Sequence, residues 1–231
     1  VWAGRTGARE LIRKGEKMRK VMRKALILCG MGALVISSLS FAQAGPTAQV
    51  RGTIDRVLDI LRDPALQGPE KEGVRVKQLR KVIYARFDFL EMARRCLGTH
   101  WRKRTAQERE EFVAIFSDLL ERSYRKKIEH YTDQEIIYTK ERVDGKYGVV
   151  STMISDREEN VEIPIDYRVI RRNDQWKIYD VVIDGISLVS NYRSQFNRII
   201  QRGSYAELVK KMRVKQEVEA AEESTASRRK Q

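Results

Sequence analysis

The chain has 231 residues, and 46 Lys/Arg against 32 Asp/Glu give it a formal net charge of +14. Its two cysteines exclude a disulfide-built scaffold. The length suits one domain of ordinary size without internal repeats, and the positive balance points toward anionic partners.

Part of the charge sits in a segment expected to be removed. Residues 18–44 carry the three parts of a secretory leader. Arg19, Lys20, Arg23 and Lys24 form a basic start, residues 25–41 an uncharged and mostly apolar run, and Ala42-Gln43-Ala44 a small-x-small cleavage site. Cleavage is expected after Ala44, in preference to retention as a membrane anchor. Residues 1–17 are polar, precede candidate initiators at Met18 and Met22, and are set apart from the fold. The first 44 residues hold nine Lys/Arg and two Asp/Glu, which leaves 37 basic and 30 acidic residues downstream, a net of +7. One cysteine, Cys96, remains there among Met92, Ala93 and Leu97, and reads as a buried, inert thiol.

Helical spacing opens the domain. Val50, Ile54, Val57, Leu58 and Leu61 recur along residues 47–62, and Pro64 ends that helix. Pro69 opens a second, with Val76, Leu79, Val82 and Ile83 inward. Asp88 is placed to cap a short third helix that Gly98 closes. Thr105-Ala106-Gln107-Glu108 reads as a capping box for a long fourth helix. That helix buries Phe112, Ile115, Phe116, Leu119, Tyr124, Ile128 and Tyr131.

The period then changes. Residues 135–143, 147–154, 161–170 and 175–183 read as four strands. Asp144-Gly145 and Asn173-Asp174 suit hairpin turns, and residues 155–160 form a polar turn between the middle pair. The result is an antiparallel meander. In the last strand Trp176, Ile178 and Val182 point one way, while Tyr179, Val181 and Ile183 point the other. Both faces are apolar, so this strand is expected to be covered on both sides. Asp180 and Asp184 interrupt the first face. Gly185 breaks the alternation, and Ser187 is placed to cap a helix carrying Leu188, Val189, Tyr192, Phe196, Ile199 and Ile200 on one stripe. Gly203 ends that helix, and Ser204-Tyr205-Ala206-Glu207 starts another. From about Val214 the composition is charged and small, and disorder is expected to Gln231. Three segments follow: residues 1–44, a domain over 45–213, and a tail over 214–231. Helices, then strands, then helices make an α+β fold.

Catalytic signatures are absent: no G-x-S-x-G, no H-E-x-x-H, no C-x-x-C and no Gly-rich phosphate loop. His100 and His130 lie far apart, so no catalytic, metal or cofactor residue is assigned. Asp180 and Asp184 share a strand face about 13 Å apart, too far for two carboxylates acting on one bond. A structural ion pair with Arg193 explains them better, because unpaired buried carboxylates are costly. Basic clusters at Arg94-Arg95, Arg102-Lys103-Arg104, Arg125-Lys126-Lys127 and Arg171-Arg172 are scattered rather than continuous. Export argues against nucleic acid as the partner. Anionic headgroups, an acidic partner protein and a plainly solvated surface all fit these clusters.

Two stretches resemble the MlaC, or toluene-tolerance, family. The first is Phe87-Asp88-Phe89-Leu90-Glu91-Met92-Ala93-Arg94 with Leu97-Gly98 and Trp101. The second is Tyr179-Asp180-Val181-Val182 with Gly185-Ile186-Ser187-Leu188-Val189 and Asn191-Tyr192-Arg193-Ser194-Gln195-Phe196. Asp184 stands where the family usually has Glu, and Ala106 where Pro is common. The resemblance implies a periplasmic protein that ferries phospholipid between two membranes. It implies an NTF2-like fold, a four-stranded twisted antiparallel sheet wrapped by N- and C-terminal helices around an apolar cavity. It also implies two docking partners, an inner-membrane ABC transporter with an MCE-domain ring and an outer-membrane lipoprotein–porin complex. Ile163, Ile165 and Tyr167 share the apolar face of the third strand with Val161 and Val169, and are expected in the cavity wall. Trp176 and Ile178 are expected beside them. Phe112, Phe116 and Leu119, with Val189, Tyr192 and Phe196, are expected to close the space. An enzyme on the same frame using Asp180 or Asp184, or an adaptor with a solid core, is the alternative; lipid-sized adducts in native mass spectrometry distinguish the carrier from both.

Overall fold

The structure, a computed structural model, describes residues 44–129, 134–156 and 161–229. The expected leader, apart from Ala44, lies outside these residues, as do His130, Tyr131 and positions 157–160 of the polar turn. Among the described residues four α-helices come first: α1 (Pro46–Arg62), α2 (Glu72–Arg86), α3 (Phe89–Leu97) and α4 (Ala106–Glu129). Five strands follow: β1 (Glu135–Asp144), β2 (Tyr147–Asp156), β3 (Val161–Arg172), β4 (Gln175–Ile183) and β5 (Ile186–Ser187). Two helices close the chain, α5 (Leu188–Arg202) and α6 (Tyr205–Arg229). The α+β architecture is the expected one.

The caps explain where the helices begin. Asp88 Oδ1 accepts from the Glu91 amide at 2.9 Å and starts α3. At α4 the box closes in both directions: Glu108 N–H donates to Thr105 Oγ1 at 3.1 Å, and Thr105 N–H donates to Glu108 Oε2 at 2.8 Å. The start of α4 is therefore held without a proline at Ala106. Ser187 Oγ accepts from the Ser190 amide at 3.0 Å and starts α5. The tail differs from expectation, because α6 runs on through Arg229. Residues 205–229 contain no proline or glycine to end a helix, and their Glu, Lys, Arg, Gln and Ala are strong helix formers.

The sheet is an antiparallel meander in the order β1-β2-β3-β4-β5. Asn173 and Asp174 both take positive φ, 43° and 64°, as a two-residue type I′ hairpin requires. Asp184 and Gly185 do the same at 48° and 76°, and this turn folds β5 back onto β4. That short fifth strand is the addition to the four expected.

A bulge changes the phase of β4. Arg168 of β3 pairs with Asp180, but the next residue, Val169, pairs with Ile178, so Tyr179 is an extra residue. Trp176 and Ile178 before the bulge therefore share a face with Val181 and Ile183 after it. Strict alternation had put these on opposite sides. Asp180 moves to the other face, toward the helices.

Three apolar clusters result. On one sheet face Val150, Ile165, Val169, Trp176, Ile178 and Val181 pack under Val50 and Ile54 of α1. A second cluster joins α3, α4, α5 and α6 through Met92, Cys96, Leu97, Phe112, Phe116, Val189, Phe196, Leu208 and Met212. A third joins Ile60, Leu61, Leu66 and Leu79 with Ile128. Phe87, between α2 and α3, packs against both of the first two.

Candidate functional site

A cavity of ≈ 220 Å³ lies where these clusters meet. From α2 come Val76, Leu79, Ile83 and Tyr84, and from the following corner Phe87, Phe89 and Met92. Leu120, Tyr124 and Ile128 of α4 face them, and Tyr167, Val181, Ile183 and Leu188 form the floor. Helical spacing selects the α2 residues, since 76, 79 and 83 recur on one stripe. The β4 bulge selects the floor, because it brings Val181 and Ile183 to the face of Tyr167.

Hydrogen bonds fix the corner that frames the cavity. The Asp88 amide donates to Ile178 O at 2.8 Å, and Phe87 forms a parallel bridge with Ile178. Arg86 donates to Thr53 Oγ1 at 2.8 Å, Gln49 Oε1 at 2.7 Å and Trp176 O at 2.6 Å. It thereby ties α1, α2 and β4 together, and burial lowers its basicity. Lys177 Nζ adds a bond to Ala85 O at 2.6 Å. The C-terminal end of α2 is thus pinned to the sheet.

The wall carries few polar groups. Desolvation pushes the Tyr167 hydroxyl up to about 12 and raises Tyr84 and Tyr124 as well, so all three phenols stay neutral. At one side, Arg80 of α2 donates through Nε and Nη2 to Glu121 Oε1 of α4, at 3.0 and 2.9 Å. Tyr84 donates to Glu121 Oε2 at 3.3 Å. Arg125 also lines this side. Among the described residues no cluster of His, Cys, Asp and Glu could hold a metal ion.

Of the eleven residues expected in the wall, Tyr167 alone lines this cavity. Phe112, Phe116, Leu119, Val189 and Phe196 are buried in the helical cluster, with Tyr192 packed against it. Rings fill that space: Phe112 stacks on Phe116 with centroids 6.0 Å apart, and Phe196 meets both edge-on. Ile165, Trp176 and Ile178 are buried beneath α1, and Ile163 packs beside them. The apolar face of β3 is the inner one, as expected, but Ile165 and Val169 on it pack under Val50 and Ile54 of α1, and Tyr167 reaches the cavity. The residues missed come from α2, from the corner at Phe87, Phe89 and Met92, from Leu120, Tyr124 and Ile128 of α4, and from Val181, Ile183 and Leu188; helical spacing was the signal for those on α2 and α4.

The expected ion pair also differs. Asp180 is 2% exposed, and its partner is Arg168, the cross-strand neighbour, at 3.1 Å. The same carboxylate accepts from Ser187 Oγ at 2.6 Å and from the Val189 amide at 3.0 Å, so it also holds the start of α5. Arg193 is exposed and lies against Gly98, where a Cβ would come within 3.1 Å of its Nε. Gly98 has φ +54°, so this position needs glycine for its backbone as well as for space. Asp184 is exposed in the β4–β5 turn. Two backbone features separate these aspartates from a shared role: the bulge turns Asp180 inward, and the turn carries Asp184 out.

Glu91 is a second buried carboxylate, not foreseen from the sequence. Arg94 reaches it at 2.6 Å, Arg95 at 2.8 Å and Arg172 at 3.4 Å. Desolvation alone would raise it, but the bonds from Arg94 and Arg95 outweigh burial and hold it below the usual carboxylate range. Arg95 also lies over the Tyr179 ring, 4.1 Å from its centroid. The Arg94-Arg95 cluster is therefore partly internal wiring. His100 pairs with Asn197 at 2.9 Å, and the Cys96 thiol is buried, with its ionisation strongly suppressed by desolvation.

The chain is similar to known proteins. A curated relative, the intermembrane phospholipid transport system binding protein MlaC of Haemophilus influenzae, is 25% identical over 120 residues. That match covers 50% of this chain, which spans about half (56%) of the relative's own length. A solved phospholipid-binding protein from Ralstonia solanacearum, in complex with a phospholipid, is 28% identical. It superposes with a TM-score of 0.68 over 77% of this chain and 99% of its own. The family model described as MlaC protein matches residues 51–214, well over half of the sequence, and the chain belongs to that family.

Proposed function

We propose that this protein is a periplasmic phospholipid carrier that shelters acyl chain in the cavity between α2, α4 and the sheet. The observation that carries this reading is the cavity itself, an apolar hollow beside two filled cores. At ≈ 220 Å³ it exceeds the roughly 150 Å³ void that stays dry and takes up benzene. It falls short of the roughly 300 Å³ at which drug-sized ligand sites begin. A lipid therefore loads as α2 and α4 part. The reading is supported by the phospholipid held in the Ralstonia solanacearum relative on the same fold.

The energetics need no covalent chemistry. Each buried CH₂ contributes about 0.8 kcal/mol, so two acyl chains supply well over 10 kcal/mol. Release must then be driven by partners that open the cover. Those partners are an inner-membrane ABC transporter with an MCE-domain ring and an outer-membrane lipoprotein–porin complex, and the leader is cleaved after Ala44 on export. Native mass spectrometry of the protein exported from a Gram-negative host tests the core of it. Lipid-sized adducts that organic extraction identifies as phospholipid are expected. Protein that arrives bare, from cells and after incubation with phospholipid vesicles, overturns it.

A further inference from the structure

The Arg80–Glu121 pair is oriented in a way that an ion pair serving stability alone does not require. The carboxylate is on the inner side, with its side chain 12% exposed, and the guanidinium is on the outer side, 50% exposed. Both line the same cavity. Glu121 sets a negative charge against a hollow walled mostly by hydrocarbon, a costly place for an unpartnered carboxylate. Arg80 spends two N–H groups on Glu121, on one oxygen, and a guanidinium has five. Three donors remain in a planar fork, the arrangement that suits a phosphate. Tyr84 donates to the second carboxylate oxygen and leaves one lone pair open on it.

We propose that Arg80 and Glu121 form a clamp for a zwitterionic phospholipid headgroup, Arg80 taking the phosphate and Glu121 a primary ammonium. This rests on the carrier reading and adds headgroup choice to it. With the acyl chains in the hollow, the headgroup comes to the side where α2 and α4 carry their charges. A phosphoethanolamine headgroup places its anion on Arg80 and its cation on Glu121, so both charges of the pair remain compensated. A phosphoglycerol headgroup brings an anion alone. It competes with Glu121 for Arg80 and leaves the inner carboxylate without a cation.

The test is a competition. The exported protein is incubated with vesicles of phosphatidylethanolamine and phosphatidylglycerol in equal amounts, re-isolated, and its lipids quantified by headgroup. Enrichment of phosphatidylethanolamine of about fivefold is expected, the ratio that one exposed charge pair supports. Glu121→Gln brings the ratio down toward that of the vesicles. The charge-swapped double variant Arg80→Glu/Glu121→Arg keeps a pair across α2 and α4, guards against a folding defect, and sets each charge of the phosphoethanolamine headgroup beside its like, so the enrichment is lost. Excess inorganic phosphate leaves the ratio unchanged; lipid displaced by it marks a plain phosphate site and overturns the clamp. A wild-type ratio equal to that of the vesicles, or a ratio unmoved in both variants, overturns it too, with the carrier reading intact. No lipid uptake at all overturns the carrier reading itself.

Discussion

The molecule holds two apolar regions of similar composition and opposite character. The junction of α3, α4, α5 and α6 is filled. Phe112, Phe116 and Phe196 interlock there, and both Phe112 and Phe116 have no exposed surface. The space between α2, α4 and the sheet is hollow, although Phe87, Phe89, Tyr84 and Tyr124 surround it. The difference lies in how the residues meet. In the first region helices pack on helices, and rings from three directions reach one point. In the second, α2 is pinned at its C-terminal end by Arg86 and Lys177 and spans the sheet at a distance its own side chains do not fill. Aromatic content therefore does not separate the hollow region from the filled one.

The largest effect belongs to the filled region. Phe116→Ala leaves a ring-sized void among rings that cannot close on it, and should cost about 3–5 kcal/mol. Denaturant midpoints measure it. A loss below about 1 kcal/mol would mean that this core is as hollow as its neighbour. Ile165, buried beneath α1, belongs with it, and Ile165→Asn should unfold the domain rather than merely expel ligand.

Next comes the polar joint between sheet and helices. Asp180→Ala strands the Val189 amide, the Ser187 hydroxyl and Arg168, and should cost about 3 kcal/mol. Arg193→Ala should change stability by less than about 0.5 kcal/mol, as an exposed residue without a buried partner does. The two variants together decide between the observed pair and the one the sequence suggested.

Much of the fold was legible because it is written locally. Caps at Asp88, Thr105 and Ser187 need only neighbours in sequence, and Asn173-Asp174 is a turn by its own chemistry. The site was less legible because it depends on one residue out of step. Tyr179 bulges, so every inward position after it on β4 changes parity, which moved Asp180 to Arg168 and brought Val181 to the cavity. No period-2 pattern carries that information when both faces are apolar. Filled and hollow clusters are likewise alike in sequence, since periodicity gives a direction and not a distance.

A smaller, condition-dependent effect comes from Glu91. Its carboxyl is held below the usual range, so the folded state binds its proton less readily than the unfolded chain. The stabilisation is fully present above the unfolded value of about 4.3, and is lost as pH falls through the lowered folded value. Glu91→Gln removes that contribution. Melting temperature should fall less steeply between about pH 5 and pH 3 in the variant than in the parent. Equal slopes would place the acid sensitivity elsewhere.

The smallest effect on stability should come from the hollow region, and it sharpens the contrast most. Ile83 is half-buried in α2 and faces the cavity. In a filled core, Ile→Trp would overpack and cost about 1–3 kcal/mol. Here the added ring enters empty space and gains contacts with Tyr124 and Val181, so Ile83→Trp should leave stability within about 1 kcal/mol of the parent or raise it. The same ring occupies room an acyl chain would need, and co-purified phospholipid should fall severalfold. Thermal unfolding and lipid extraction on one preparation read both. A folded variant with its full lipid load would move the acyl chains out of this cavity. A variant destabilised like Phe116→Ala would mean that the two regions are packed alike.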